Sequence, residues 1–151
     1  MTEPYASNMV KQGWAKTLYS TGELSPGQVA AELIMSPQLG KDQPEAVKRF
    51  VTAFTHGARD YYHAINKGDA DKAPIIDVMV NHTPIKDKAL YATIGLPSIN
   101  PNADVDPTPS WSEVQDFYIR RGIQKNKIDL AKYIDSSYVN AALDRLGKEP
   151  V

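Results

Sequence analysis

One amphipathic segment, "DQPEAVKRFVTAFTHGARDYYHAINKG", constrains the fold of this chain most. Asp42 and Glu45 have the spacing of a capping box, Pro44 suits a first helical turn and Gly68 suits a helix end. Apolar side chains then recur at the helical period: Val47, Phe50, Val51, Phe54, Ala58, Tyr61, Tyr62 and Ile65. The pattern predicts one continuous helix over residues 43–67, buried along Val47, Phe50, Phe54, Tyr61 and Ile65.

Shorter helices are predicted on either side of this segment. Their sequences are "PYASNMVKQG", "PIIDVMVNHT", "DKALYATIG", "SWSEVQDFYIRRG" and "SSYVNAALDRLG". Ser110 and Glu113 form a second capping-box pair, and Asp135 or Ser136 is expected to cap the last helix. That helix is expected to bury Val139, Ala142, Leu143 and Leu146. The stretch "LPSINPNADVDPTP" is Pro-rich and aperiodic, which predicts a connector that follows a fixed path over the surface.

Two segments near the front of the chain predict β-strands. In "QVAAELIMS", Val29, Ala31, Leu33 and Met35 alternate onto one face, and "WAKTLYS" is a second strand candidate. Two strands make a poor sheet on their own. The sequence therefore predicts a helix-rich α/β fold with few strands, whose sheet needs further partners.

Composition excludes several classes of function. The chain has 151 residues, enough for one domain with a core, and a net charge of -1, so bulk charge attracts neither nucleic acid nor an anionic membrane. It contains no cysteine, which excludes disulfides, thiolate catalysis and cysteine-based metal sites. No apolar run approaches the ~20 residues of a membrane span, and the N-terminus lacks the pattern of a signal peptide.

The order of these segments resembles a known family. "EPYA" comes first, followed by the two strand candidates, "QPEAVKRFVTAFTHGARDYY", "IKDKALYATIGLPSINPNADVD" and "KIDLAKYIDSSYVNAALDRLG". Together they resemble the C-terminal half of the substrate-binding proteins of ABC importers. The group comprises binding proteins for nitrate, sulfonates, taurine and thiamine-pyrimidine precursors, which have the type 2 periplasmic-binding fold. The resemblance covers nearly the whole chain.

The resemblance implies a two-lobed α/β protein that closes around a small-molecule solute. Residues 1–20 would end the second lobe and cross over, and residues 21–151 would complete the first lobe with packing helices. Such a protein works in the periplasm and delivers its solute to the membrane subunits of an ABC importer. The family's first half is absent here, so a truncated chain is expected to bind solute weakly or not at all.

Two other functions remain open at this stage. The same fold group includes the thiamine-pyrimidine synthases, which the family associates with a cysteine-rich iron motif; the lack of cysteine argues against such an enzyme. Ser7, Ser20 and Ser25 have no histidine–carboxylate partner nearby in sequence, so no catalytic residue and no cofactor are predicted. The third possibility is a helical protein-interaction module, with the apolar stripe serving a partner chain.

Glu3, Pro4 and Tyr5 are the candidate ligand-binding residues, because in the resembling family this loop edges the solute cleft. A helix N-terminus offers free N–H groups to an anionic head group, and Tyr5 can stack on or hydrogen-bond a ligand. Glu3 instead suits an amine or a ring N–H. The structural alternative is a helix cap with a carboxylate in its first turn.

His56, Asp60 and His63 lie at positions i, i+4 and i+7 of the predicted long helix, a spacing that could hold a metal. They fall opposite the apolar stripe, and a fourth ligand is missing. We therefore predict a solvated helix face and no metal.

The apolar segments also predict association. Open strand edges around "WAKTLYS" and "QVAAELIM" are templates for pairing with another chain, and an uncovered stripe from Val47 to Ile65 would favour the same outcome. A homodimer, or poor solubility, is the expected behaviour of the chain alone.

Overall fold

A computed structural model describes all residues from Met1 to Val151. Its regular structure is entirely helical, with 55% of residues in helices and no strand. The α-helices, numbered in chain order, are α1 (Tyr5–Lys11), α2 (Thr21–Leu24), α3 (Pro37–Asp42), α4 (Pro44–Tyr61), α5 (Ala73–His82), α6 (Lys88–Thr93), α7 (Thr108–Arg120) and α8 (Ser137–Leu146). A π-helical turn covers Tyr62–Lys67, and a 3-10 turn covers Leu130–Lys132.

The predicted α/β fold is wrong, because neither strand candidate forms a strand. Residues 14–20 are irregular, and residues 28–36 are irregular and largely exposed. Alternating hydrophobicity favours a strand only where neighbouring strands complete the backbone hydrogen bonds, and this chain supplies no such neighbour.

Helix α4 and the π turn together form the continuous helix that the stripe predicted, unbroken at Gly57. The start differs from the prediction. The Ala46 and Val47 amides donate to the Gln43 carbonyl, while Asp42 belongs to α3 and accepts from Gln38. The capping box of Asp42 and Glu45 does not form, because the preceding short helix already occupies its position.

The buried face of α4 is displaced from the predicted one. Val47, Val51 and Ala58 are at most 5% exposed, whereas Phe50 is 53% exposed. Phe54, Tyr61 and Ile65 are half-buried. Successive helical residues point about 100° apart, so a face centred on Val51 leaves Phe50 at its edge. The prediction is wrong for Phe50 because the large aromatic side chains misplaced the centre of the stripe.

The π turn ends where Gly68 was predicted to stop the helix. Gly68 has φ of 73° and its amide donates to the His63 carbonyl. A residue with a Cβ is strained in this left-handed conformation, so glycine suits the position.

The chain divides into two compact units. One contains residues 1–20, 56–101 and 151, and the other contains residues 21–55 and 102–150. The assignment of residues 1–20 and 21–151 to the lobes of a binding protein stays a prediction.

The unit of residues 21–55 and 102–150 holds a small hydrophobic core. Val47 and Val51 of α4 pack with Ala142 of α8. Of the four residues that the last helix was predicted to bury, only Ala142 is buried, and Val139, Leu143 and Leu146 are half-buried. Met35, Tyr138 and Val139 pack against this cluster. Helix α7 contacts the 3-10 turn, whose Leu130 is buried.

Helices α7 and α8 begin with Asx turns. Asp106 Oδ1 accepts the Thr108 amide at 2.9 Å, so α7 begins before Ser110. The predicted capping box of Ser110 and Glu113 therefore does not start this helix. Asp135 Oδ1 accepts the Ser137 amide at 2.9 Å, whereas the side chain of Ser136, at the N-cap position, makes no capping hydrogen bond; of the two predicted caps, Asp135 is therefore the acceptor. Hydrogen bonding from Ser137 lowers the pKa of Asp135.

In the unit of residues 1–20 and 56–101, α5 contacts α6. Asp87 caps α6 by accepting the Leu90 amide at 2.9 Å. Lys11 of α1 pairs with the same carboxylate at 2.6 Å. The buried apolar side chains here are Ala58, Ala64, Ile76, Leu90, Tyr91 and Pro101.

Candidate functional site

The loop at Glu3, Pro4 and Tyr5 opens helix α1, as predicted, and the side chain of Glu3 caps it. Glu3 Oε2 accepts the Ser7 amide at 3.1 Å, and Glu3 Oε1 accepts the Ser7 hydroxyl at 2.9 Å. The Ala6 amide donates to the Thr2 carbonyl at 3.2 Å. The chain itself therefore occupies the Ala6 and Ser7 amides, two of those that an anionic solute would use.

The position of the Glu3 carboxylate distinguishes between an anionic and a cationic solute at this loop. The Glu3 carboxylate would repel a sulfonate or nitrate at the helix start and would attract a cationic amine. Tyr5 is exposed, and its hydroxyl makes no hydrogen bond within the protein. The three residues thus place a half-buried carboxylate, hydrogen-bonded to Ser7, beside one exposed aromatic ring, and their role in ligand binding stays a prediction.

An open, shallow depression follows helix α1 along the chain. Its lining is Val10, Gly13, Trp14, Ala15 and Lys16. The indole of Trp14 is largely exposed, and Lys16 supplies the only charge. None of the predicted ligand-binding residues lines it.

The structure does not bring His56, Asp60 and His63 together as a metal site. His56 and Asp60 are exposed, and no group of three or more His, Asp or Glu side chains could hold a metal ion. His63 Nδ1 instead lies 2.7 Å from Asp69 Oδ1, while Lys67 Nζ lies 2.9 Å from Asp69 Oδ2. Hydrogen bonds from Lys67 and His63 lower the pKa of Asp69. These contacts hold Asp69, which follows the π turn, against His63 and Lys67 within the turn.

The first part of the Pro-rich connector follows a fixed path, as predicted. The Tyr61 hydroxyl donates to the Pro97 carbonyl at 2.7 Å, and Arg59 Nε donates to the Pro101 carbonyl at 3.3 Å. Asn66 Oδ1 accepts the Ile99 amide at 3.0 Å. Partial burial in this contact raises the pKa of Tyr61 to about 12.

Asn102 is a buried polar residue that the sequence did not single out. It is fully buried and forms a two-sided clip with Glu149. Its Nδ2 donates to the Glu149 carbonyl at 2.8 Å, and its Oδ1 accepts the Glu149 amide at 2.8 Å. The neighbouring Ala103 has φ of 54°, and Lys148 pairs with Asp104 at 2.6 Å. These contacts hold the segment at Asn102 against the chain at Glu149 and use both the nitrogen and the oxygen of the Asn102 amide.

Gln115 makes a similar clip beneath the segment that follows α7. Its Oε1 accepts the Ile128 amide at 2.8 Å and Gln124 Nε2 at 2.9 Å, and its Nε2 donates to the Ile128 carbonyl at 3.3 Å. A polar residue on a helix gives no sequence signal for such a role, because its partners are set by the loop.

Several large apolar side chains between residues 14 and 34 are exposed. Trp14, Leu18 and Tyr19 lie in the unit that contains residues 1–20, and Leu24, Leu33 and Ile34 lie in the unit that contains residues 21–55. Exposed large apolar side chains are common at interaction sites. This is the same region in which strands were predicted.

Comparison with known proteins gives no relative. No family model matches the chain, and no curated protein or solved structure matches it either. None of the helices combines the length and hydrophobicity needed to cross a membrane.

Proposed function

We propose that this protein takes part in solute capture for an ABC importer, as a solute-binding component in the periplasm. The supporting observation is the order of its segments, from "EPYA" to "SSYVNAALDRLG", which resembles that of the nitrate, sulfonate, taurine and pyrimidine-precursor binding proteins. The membrane subunits of the importer are the proposed partners.

The two most specific resembling segments have a scaffold role in this proposal. "PEAVKRFVTAF" lies in α4, and "KIDLAKYIDSSYVNAAL" runs from residue 127 through the 3-10 turn into α8. Helices α4 and α8 meet through Val47, Val51 and Ala142. Neither segment presents an enclosed site. The solute would instead meet the loop of Glu3, Pro4 and Tyr5, where the Glu3 carboxylate favours a solute that carries an amine, such as taurine, over a bare anion.

Calorimetric titration of the protein purified from its source cells, through a tag added at the C-terminus, tests this proposal. Taurine, methanesulfonate, nitrate and an aminopyrimidine are the probes. Micromolar binding of one probe supports the proposal, and absence of heat with all four contradicts it.

Two variants then test the loop. Glu3→Gln is expected to weaken binding of an amine-bearing probe, because the carboxylate is its counter-charge. Tyr5→Ala is expected to weaken any probe that stacks on the ring. Tyr133→Ala is the matched control, since Tyr133 is also exposed and lies in another part of the chain. Equal affinity in both loop variants would remove Glu3 and Tyr5 from the site.

A second candidate function, binding of another protein chain, is favoured by the exposed apolar side chains between residues 14 and 34. Light scattering during size-exclusion chromatography distinguishes the two functions, because solute capture requires no self-association. A protein that stays monomeric at high concentration and retains no partner would contradict this second candidate.

A further inference from the structure

The C-terminal end of helix α7 and the turn after it expose three large apolar side chains. Phe117, Tyr118 and Ile123 are 49%, 41% and 68% exposed. The rings of Phe117 and Tyr118 lie next to each other, with their centroids 5.9 Å apart. Exposed apolar side chains that lie close together are typical of interaction sites.

The backbone holds Ile123 beside the last turn of α7. The Gly122 amide donates to the Ile119 carbonyl at 3.0 Å, and the Ile123 amide donates to the Tyr118 carbonyl at 2.9 Å. These two hydrogen bonds form a Schellman motif, whose left-handed residue is Gly122 with φ of 70°. The motif turns the chain back, so Ile123 lies at the same end of the helix as the two aromatic rings.

The segment after this turn is also held in place. Gln115 Oε1 accepts Gln124 Nε2 at 2.9 Å and the Ile128 amide at 2.8 Å. Gln124 Nε2 donates in addition to the Asn126 carbonyl at 2.7 Å. The exposed side chains at this end of α7 therefore project from a backbone that hydrogen bonds fix.

Cations surround these apolar side chains. Residues 117–127 contain four basic side chains and no acidic one, although the net charge of the whole chain is -1. Lys127 pairs with Asp116 at 2.9 Å. The other three basic side chains are exposed and make no ion pair: Arg120, Arg121 and Lys125. We call this surface the α7 tip; it comprises Phe117, Tyr118, Arg120, Arg121, Ile123 and Lys125.

The composition of the α7 tip matches the surface of an anionic membrane. At such a surface, apolar side chains enter the boundary between headgroups and acyl chains, while Lys and Arg side chains stay at the lipid phosphates. Single-stranded nucleic acid also binds cations and aromatic rings, but the most exposed apolar side chain here is the aliphatic Ile123, which offers a base no stacking surface. The negative end of the helix dipole accounts for Arg120 and Arg121, but not for Ile123.

We propose that the α7 tip binds the surface of an anionic phospholipid membrane. Its three apolar side chains enter the boundary between headgroups and acyl chains, and its three unpaired cations contact the lipid phosphates. The contact is peripheral and uses residues of one compact unit only. It is independent of whether the protein captures a solute.

Co-sedimentation of the full chain with lipid vesicles tests the proposal. Vesicles of phosphatidylcholine that contain about one-third phosphatidylglycerol should bind the protein about tenfold more tightly than vesicles of phosphatidylcholine alone. High salt should weaken the binding, because it screens the attraction between the cations and the phosphates.

Charge variants test the role of the cations. Arg120→Gln/Arg121→Gln should lower the partition into anionic vesicles by about 20-fold, since each basic side chain near the surface contributes roughly fivefold. Arg120→Lys/Arg121→Lys keeps both charges and should bind like the wild type. Lys41→Gln/Arg145→Gln is the matched control, because both residues are exposed cations without an ion pair in other parts of the same unit.

An apolar variant tests the insertion. Ile123→Ser should lower the partition by about tenfold, because a buried isoleucine is replaced by a small polar side chain. Ile34→Ser is the matched control, since Ile34 is 90% exposed and lies outside the α7 tip. Circular dichroism should show the same Tm for both variants, as neither residue belongs to the core.

Three results would overturn the proposal. One is equal binding to neutral and anionic vesicles, or to neither. Another is a charge or Ile123 variant that binds anionic vesicles as well as its control does. The third is tighter binding to an oligothymidylate than to anionic vesicles, which would assign the α7 tip to single-stranded nucleic acid instead.

Discussion

Replacing Asn102 with alanine should destabilise the protein, although Asn102 lies outside any helix. The side chain is 0% exposed and makes hydrogen bonds of 2.8 Å to both the amide and the carbonyl of Glu149. Two hydrogen bonds contribute about 1 kcal/mol each, and loss of the packed amide adds to this. We therefore expect Asn102→Ala to lower the free energy of unfolding by about 2–3 kcal/mol.

Thermal unfolding followed by circular dichroism at 222 nm measures the effect. The expected fall in Tm is about 5–10 °C for a chain of this size. Asn126→Ala is the control, because Asn126 is exposed and only its backbone carbonyl is hydrogen-bonded. Asn102→Asp keeps the acceptor for the Glu149 amide but sets a carboxylate against the Glu149 carbonyl, so it should be at least as unstable as Asn102→Ala at neutral pH. A loss below about 0.5 kcal/mol in Asn102→Ala would refute the role of the clip, since that is the ordinary range for a surface change.

Three further predictions use the same unfolding measurement. Val51→Ala should cost about 2 kcal/mol because it empties a buried position, whereas Phe50→Ala should cost clearly less; the reverse order would contradict the observed face of α4. Ala103→Gly should raise stability by about 0.5–1 kcal/mol by relieving a φ of 54°, and a loss would indicate that the backbone there is unstrained. Hydrogen bonds from Lys11 and from the Leu90 amide lower the pKa of Asp87, so its stabilisation is present above the unfolded pKa of about 4 and is lost as the pH falls through the folded value. Asp87→Asn should therefore lose less Tm than the wild type between about pH 5 and pH 2, and parallel curves would contradict the ion pair with Lys11.

The long helix could be predicted from the sequence because its signal is local. Apolar spacing over residues 43–67 and Gly68 at the end lie within the element itself. The caps were harder, because several acceptors compete within a few residues. Gln43 and Asp106 start α4 and α7 where Asp42 and Ser110 were predicted to do so.

Features that depend on distant contacts were missed or wrong. The two predicted strands needed partner strands, which local alternation cannot supply. The Asn102 clip joins residues 47 positions apart, and nothing near Asn102 in the sequence indicates Glu149 as its partner. The Glu3 loop was placed correctly at the start of a helix, but the sequence could not show that its own carboxylate fills the place proposed for an anion.

The small size of the buried core has a consequence for how the native state opens. Only nine hydrophobic residues are buried, and helix α1 contains none of them. Local opening requires little free energy where few apolar contacts must be broken, so amide protons should exchange with deuterium at very different rates along the chain. Amides around Val47 and Val51, packed against Ala142, should be the slowest, and those of α1 should be among the fastest of the helical amides. Residues 15–19, whose amides have no acceptor at all, should exchange within the dead time unless a second chain covers them.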